Sequence, residues 1–486
     1  MIEFRNVTFT YGEESVRGLQ DVSLHIQRGE TVVLCGESGS GKSTLTRLIN
    51  GLVPHFYEGD LEGDVLLDGR RISDMQLYEL AGYVGSVLQN PRTQFYNVES
   101  TAELAFGCEN LGVPAEQIEQ RITRTAGRLA LKGLLDRDLF EMSGGEKQLI
   151  ACGSADTIQP EVVVLDEPSS NLDLPAIRDL AAVVQRWRDD GKTLVIAEHR
   201  LFYLLDVADR FVYVKDGRIE REFAPEELRE LAPETLAALG LRAPDPWRLR
   251  PAADAGSGTG TIRVKAFECV TKGHERLSIP ELALPRGEVI AMLGRNGAGK
   301  TTFARTLCAL ERSGRGEVEI DGVVYGARKR RGLAYMVMQD VNHQLFAEDA
   351  IDELLLSMDG VDPDADAARA DEILRSLDLD GKADRHPMSL SGGEKQRLAI
   401  GGAIAAGREI LVLDEPTSGL DYRRMIGVAG VLRAMSAKGR TLFVITHDIE
   451  FVLRCCGYAV CLAGGRVVHS SRVDEAGVRY LREFFR

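Results

Sequence analysis

No stretch of this chain is apolar for long. The hydrophobic runs within EVVVL (161–165) and EILVL (409–413) are among the longest, far short of the roughly 18 residues that a membrane-crossing helix needs. Work across a membrane would therefore need other chains to supply the spans. The opening MIEFRNVTFTYGEE has neither the basic stretch nor the apolar core of a signal peptide. Cysteine is sparse: eight residues, at 35, 108, 152, 269, 308, 455, 456 and 461, with no C-x-x-C pair. That argues against a disulfide scaffold or a zinc site and for a reduced, cytoplasmic protein. Basic residues are in deficit, 59 against 74 acidic, for a formal charge of -15. A nucleic-acid binder usually shows a basic stripe, so the balance leans away from one. Long coiled-coil repeats are absent as well.

What is present is ordinary globular composition, 44% hydrophobic and 27% charged, over 486 residues. That length is too great for one core and implies two or more domains. The halves repeat one another. CGESGSGKST (35–44) matches LGRNGAGKTT (293–302), and SVLQNPRTQFY (86–96) matches MVMQDVNHQLF (336–346). EMSGGEKQLI (141–150) matches SLSGGEKQRLAI (389–400), VVVLDEPSSNLD matches ILVLDEPTSGLD, and LVIAEHR matches LFVITHD. The offset is 258 at Lys42 and Lys300, 250 at Gln89 and Gln339, and 248 thereafter. Ordered spacing of this kind marks two copies of one domain. The first is placed at 1–223 and the second at 261–486. A linker at 224–260 begins with the helical-looking APEELRELAPETLAALG and continues into Pro-, Gly- and Ala-rich sequence. Runs such as TVVLC and TLVIAEH are apolar on both faces, as buried parallel strands are. Each copy is expected to be an α/β domain with a mostly parallel sheet. A helical subdomain is expected between Gln89 and Ser143.

GESGSGKS (36–43) and GRNGAGKT (294–301) fit G-x-x-x-x-G-K-[ST] between a strand and a helix. Glycines there let backbone N–H groups wrap phosphate oxygens, and the helix start adds a favourable dipole. The nucleotide-holding residues of the first copy are Gly36, Ser38, Gly39, Ser40, Gly41, Lys42, Ser43 and Thr44. Those of the second are Gly294, Asn296, Gly297, Ala298, Gly299, Lys300, Thr301 and Thr302. The lysines should reach the β- and γ-phosphates of ATP. Ser43 and Thr301 should bind Mg²⁺, with Asp166 and Asp414 at strand ends holding its shell. Glu167 and Glu415 follow, placed to orient or deprotonate an attacking water, and Pro168 and Pro416 stop the strands. His199 and His447 lie 33 residues after each Asp–Glu pair. A lone histidine there is more often structural; recurring in both copies, these point to the γ-phosphate. Gln89 and Gln339 end another strand, where an amide can touch metal and water. Alone, either glutamine is weak evidence.

These motifs together resemble a tandem nucleotide-binding subunit of the ATP-binding cassette family. The distinguishing mark is the SGG signature. By that resemblance two domains pack head to tail, and each signature caps the ATP held by the other. Ser391, Gly392 and Gly393 would complete the site on Lys42, and Ser143, Gly144 and Gly145 the site on Lys300. Asp173 and Asp421 resemble the loop linking the sites. Some positions depart from the family pattern. Glu146 and Glu394 stand where glutamine is usual, and Met142 where leucine is. AEHR in the first copy faces the commoner THD. Tyr11 matches the adenine-stacking aromatic, whereas the second copy has Lys272, with Phe267 the nearest aromatic upstream.

LQNPRTQFYNVESTAELAFGCENLGVP, MQDVNHQLFAEDAIDELLL and NGLVPHFYEGDLEGDVLLDG look like the energy-coupling-factor importers. In that group two ATPases power uptake of vitamins, such as a thiamine precursor, or of cobalt and nickel ions. The resemblance implies integral membrane partners, one coupling and one substrate-binding, and a peripheral place on the cytoplasmic face of the membrane. Phe95, Tyr96, Leu345 and Phe346 are candidate apolar contacts with the coupling partner; a core role for them is equally open. The alternative is a soluble tandem ATPase acting on ribosomes or nucleic acid.

Overall fold

The computed structural model describes residues 1–12, 16–252, 260–271, 274–358, 360 and 362–485. It divides into two compact units, Met1–Asp245 with Asp421–Arg423, and Pro246–Leu420 with Arg424–Arg486.

The first unit carries two sheets. An antiparallel sheet orders β2 (Val16–Ile26), β1 (Ile2–Tyr11), β4 (Gly59–Leu67) and β5 (Arg70–Arg71). The other orders β10 (Arg218–Phe223), β9 (Arg210–Lys215), β3 (Thr31–Cys35), β8 (Thr193–Ala197), β7 (Val162–Asp166) and β6 (Val84–Val87). Within it β3 pairs in parallel with both β8 and β9, and only β10 runs antiparallel. All five residues of β3 and of β8 are buried, as the two-faced apolar pattern requires. One core face packs Val33, Leu165, Ile196 and Trp187; the other packs Val32, Val164, Val195 and Leu45.

The second unit repeats the topology. β12 (His274–Pro285), β11 (Thr261–Thr271), β14 (Gly314–Ile320) and β15 (Val323–Tyr325) form its antiparallel sheet. β16 (Ala334–Val337), β17 (Ile410–Asp414), β18 (Thr441–Ile445), β13 (Val289–Leu293), β19 (Tyr458–Ala463) and β20 (Arg466–Arg472) form the mixed one. The two mostly parallel sheets are thus the α/β core expected of each copy. Inserted helices follow the edge strand of the six-stranded sheet in each, β6 or β16: Ser100–Asn110 and Ala115–Arg128 in the first unit, Ala350–Leu355 and Pro363–Ser376 in the second. All eight cysteines are free and buried. Burial pushes the Cys35 thiol up to about 12, which makes it inert at neutral pH.

The segment 224–260, read from sequence as a linker, is not uniform. Residues Pro225–Glu230 and Pro233–Leu239 are helices, and Leu228, Leu236 and Leu241 join the first unit's core. Tyr213 Oη donates to Leu239 O at 2.8 Å. Leu228 and Leu236, one from each helix, are buried and so fix this stretch to the sheet domain. Beyond Asp245 the chain belongs to the second unit, where Ala252 N donates to Leu453 O at 2.9 Å. The Gly- and Ala-rich stretch at 253–259 lies outside the described residues.

Candidate functional site

Each glycine-rich loop follows the central strand of its sheet, where strand order reverses and ligands of open α/β sheets usually sit. Gly36 has φ +142, and a Cβ there would lie 2.1 Å from Val214 O. Gly294 repeats this, with φ +150 and Leu462 O at 2.4 Å. No other residue fits either position, so the loop backbone must turn tightly, leaving its N–H groups to face inward. Lys42 is buried and donates to Gly36 O at 3.0 Å and Glu37 O at 2.8 Å. Lys300 donates to Gly294 O at 2.8 Å and Arg295 O at 3.1 Å. Burial lowers the Lys42 pKa, against the opposing pull of Glu167 and Asp166. Ser43 and Thr44, with their counterparts Thr301 and Thr302, sit in the first turn of the following helix.

The strand-end acids converge on these loops. Ser43 Oγ donates to Asp166 Oδ1 at 3.0 Å, and Thr301 Oγ1 to Asp414 Oδ2 at 2.9 Å. Burial raises both aspartates, and the hydroxyl bonds oppose it. A hydroxyl and a carboxylate are hard oxygen donors. A magnesium ion that keeps waters and takes phosphate oxygens needs few protein ligands of that kind. Glu167 has φ +45 and Glu415 φ +51, in the sparsely populated left-handed region. The cause is visible: each amide still pairs with the neighbouring strand, Glu167 N with Ala197 O at 2.8 Å and Glu415 N with Ile445 O at 2.9 Å. The chain must then turn sharply, and each carboxylate is brought within 3.2 Å of a histidine Nε2, His199 or His447. Burial alone would raise Glu167, but its bond to His199 and the charges of His199 and Lys42 hold it below the ordinary carboxylate value. Gln89 Nε2 donates to Glu167 Oε2 at 2.7 Å. Gln339 is exposed and makes no hydrogen bond to Glu415 among the described residues.

The histidine loops differ. Glu198 is buried and accepts from His199 N at 2.7 Å, Arg200 N at 3.1 Å, Tyr203 Oη at 2.8 Å and Ser169 N at 3.3 Å. Arg200 Nη1 reaches Leu172 O at 3.1 Å. This network ties the histidine loop to the loop after β7. In the second unit Thr446 and Asp448 replace both residues. Asp448 accepts from Phe451 N at 3.2 Å and caps the helix Ile449–Cys455. Arginine cannot cap, and residues 202–207 are turns.

The signatures are helix starts. Ser143 and Ser391 are exposed N-caps of Gly144–Thr157 and Gly392–Ala405. The unusual glutamates have a use here. Glu146 Oε2 accepts from Ser143 N at 2.8 Å and Glu394 Oε2 from Ser391 N at 2.8 Å, closing capping boxes. Arg137 Nη1 pairs with Glu146 at 2.7 Å, and Lys382 pairs with Glu394. Met142 is buried beside Leu139 and Ile150.

The aromatic candidates lie in different settings. Phe267 is wholly buried against Phe303, with the Arg330 guanidinium 4.9 Å from its ring centroid, so it has no free face for a base. Lys272 lies outside the described residues. Tyr11 is half-buried, edge-on to Phe9 and Tyr57, with its hydroxyl 3.0 Å from Thr44 Oγ1. The four candidate partner contacts also split. Phe95 packs into the core and Leu345 is buried, whereas Tyr96 and Phe346 are 79% and 77% exposed. Two glutamates that sequence reasoning missed hold these loops. Buried Glu103 accepts from Tyr96 N and Asn97 N at 3.0 and 2.8 Å, and buried Glu353 from Phe346 N and Ala347 N at 2.7 and 2.8 Å. Gln94 and Gln344 brace the same loops through Leu88 N and Met338 N, at 3.1 and 3.0 Å. Their recurrence at the Gln89–Gln339 offset of 250 was the available signal.

Comparison with known proteins agrees with this geometry. The ABC transporter family model matches residues 19–170 and 277–418. A Treponema denticola protein named "Putative ABC transporter ATP-binding protein" is 41% identical over 476 residues, covering 96% of each chain. A second from that organism is 36% identical, again covering 96% of each. Among solved structures, a model of ribosome-bound archaeal Pelota and ABCE1 matches 99% of this chain and 80% of its own with TM-score 0.71 at 23% identity. An RNase-L inhibitor structure matches 99% and 93% with TM-score 0.66 at 21% identity. At such identities the likeness is one of fold. The chain belongs to the ABC transporter family, as an ATPase with two ATP-binding domains in one polypeptide.

Proposed function

We propose that this ATPase is a clamp whose two phosphate-loop sites each bind ATP with Mg²⁺ and hydrolyse it to drive a separate partner. The observation that carries this reading is the duplicated set of strained glutamate, histidine and hydroxyl–aspartate pair around each buried lysine. Lys42 and Lys300 neutralise the phosphates, and the loop N–H groups orient them. Ser43 with Asp166, and Thr301 with Asp414, hold the magnesium, which supplies charge neutralisation at the phosphates. Glu167 and Glu415 accept the proton of the attacking water. His199 and His447 fix those carboxylates, and Gln89 and Gln339 read the occupancy of the site. Each signature, an intact helix start with an exposed serine, serves the ATP of the opposite copy; this assignment rests on the family resemblance. Glu167→Gln or Glu415→Gln should trap ATP-bound protein and slow turnover. Normal hydrolysis in both variants would refute the base assignment.

Two readings of the partner stand side by side. Membrane transport is supported by the names of the 41% and 36% identical relatives and by the exposed Tyr96 and Phe346, each pinned by a buried glutamate. No helix among the described residues is long and apolar enough to cross a membrane, so the spans would come from other subunits. Action on ribosomes is the second reading; a solved structure matched over the whole chain is of a ribosome-bound archaeal ABCE1, a likeness of fold at 23% identity. The energy-coupling importer subtype, with a vitamin or a cobalt or nickel ion as cargo, rests on the loop motifs alone. Affinity capture of the tagged chain from detergent-solubilised cells, followed by mass spectrometry, separates the readings. Polytopic membrane proteins support transport, and ribosomal proteins support the alternative. Tyr96→Asp with Phe346→Asp should abolish the membrane capture while leaving ATP binding intact; unchanged capture would remove these aromatics from the interface.

A further inference from the structure

Away from both phosphate loops, the second unit holds a cavity of about 610 Å³ between residues 247–252 and the C-terminal helix Glu475–Phe484. That volume is in the range of small-molecule pockets. Trp247, Leu249 and Val478 supply apolar wall, and Arg250, Arg479 and Arg482 supply charge. Other arginines of this acidic chain have acidic partners: Arg210 pairs with Glu30 and Glu222, Arg188 with Asp209, and Arg286 with Asp321 and Glu409. Arg472, also on the wall, pairs with the buried Glu288 at 3.0 Å. Arg250, Arg479 and Arg482 make no ion pair or hydrogen bond among the described residues, although the chain carries fifteen more acids than bases. The wall also carries two carboxylates, Asp474, which caps the helix by accepting from Gly477 N at 2.8 Å, and the exposed Glu475; neither forms an ion pair with these three arginines among the described residues. Three guanidinium groups without a direct ion-pair partner around one hollow repel each other, and an anion bridging them relieves that cost. Guanidinium forks match phosphate oxygens in two-point bonds, and an indole beside them suits a flat or apolar body.

We propose that this cavity binds a phosphorylated small molecule, with Arg250, Arg479 and Arg482 holding the phosphate and Trp247 covering the rest. The site is separate from the ATP sites and is formed partly by the segment that joins the two copies in sequence.

The test uses the full chain carrying Lys42→Ala and Lys300→Ala, so that phosphate-loop binding is suppressed. The chain has two tryptophans, and Trp187 is fully buried, so Trp247 reports on the cavity. Pyrophosphate and AMP are titrated separately while fluorescence is recorded. The expected result is a saturable change with either probe, absent in Trp247→Phe. In Arg479→Ala/Arg482→Ala, affinity should weaken about tenfold or more, the loss of one or two charge-assisted bonds. Both arginines are exposed, and circular dichroism verifies that the variant is folded. No saturable change up to millimolar probe, or equal affinity in the double variant, overturns the proposal. So does arginine-dependent co-sedimentation with phosphatidylglycerol vesicles in the absence of any response to the soluble probes, which would assign the patch to a lipid surface.

Discussion

Leu80 and Arg330 occupy the same place in the two copies, the fourth residue of the helices Leu77–Tyr83 and Ala327–Leu333. Both are about 1% exposed. In the first copy Leu80 simply joins the core with Phe9. In the second, a guanidinium is buried over Phe267, and burial lowers its pKa. Its Nε and Nη1 have no hydrogen-bond partner among the described residues. Around the glutamates the copies also part. Glu167 is held by both His199 and Gln89, whereas Gln339 stands away from Glu415. The lesson is that duplication kept the sheet, the phosphate loops and the acid–histidine geometry. It relaxed the loops and helices that surround them.

The largest test of that asymmetry is catalytic. Loss of a positioned proton acceptor costs about 10²–10⁴ in rate. Glu167→Gln should therefore cut phosphate release about a hundredfold or more, and Glu415→Gln should cut it less. Equal losses would mean that the two sites fire only as a pair and that the missing Gln339 contact has no functional weight.

Exchange of core residues comes next. Leu80→Arg buries a charge with no partner and should cost about 3 kcal/mol or more. Arg330→Leu should be neutral or stabilising by about 1–4 kcal/mol, as replacement of a buried charge by a hydrophobe often is. Urea unfolding of both variants decides this. Strong destabilisation by Arg330→Leu would show that the guanidinium has a partner worth keeping.

A smaller effect is expected from giving the first copy the second copy's histidine loop, Glu198→Thr with Arg200→Asp. Glu198 accepts from four donors, and losing them should cost about 1–3 kcal/mol. In a unit of this size that is a fall of several degrees in Tm. An unchanged Tm would make the network incidental.

The smallest effect is a pH slope. Burial would raise Glu394, but Lys382 and the Ser391 amide hold it down at about 2, against an ordinary value of 4.5. A carboxylate depressed in the folded state adds stability above its unfolded pKa and loses it as pH falls toward the folded value. Glu394→Gln should therefore flatten the loss of stability between pH 4.5 and about 2, read by thermal unfolding across that range. Glu146, lowered by the same capping bond and by Arg137 against burial, should behave alike in the first copy. An unchanged slope would place the charge of the signature glutamate outside the stability of its helix.

Much of this was legible in order along the chain. The glycines of 36–41 and 294–299, the lysines after them, the DEP strand ends and the repeated SGG helix starts are local signals. The strand pattern, loop curvature and helix capping follow from neighbours a few residues away, and the sequence by itself determined them, twice. The tertiary structure decided what depends on distant segments. Only folding brings Glu103 to the Tyr96 loop, places Glu198 under Ser169, and packs Phe95 against the core while leaving Tyr96 exposed. It also decided that residues 225–241 belong to the first unit's core, because three leucines found apolar neighbours that no local pattern reveals. Phe267, an aromatic in the expected region, was removed as a base-stacking candidate by Arg330, 63 residues further on. Local backbone preference acts over a few residues, whereas burial and pairing depend on which faces the fold brings together.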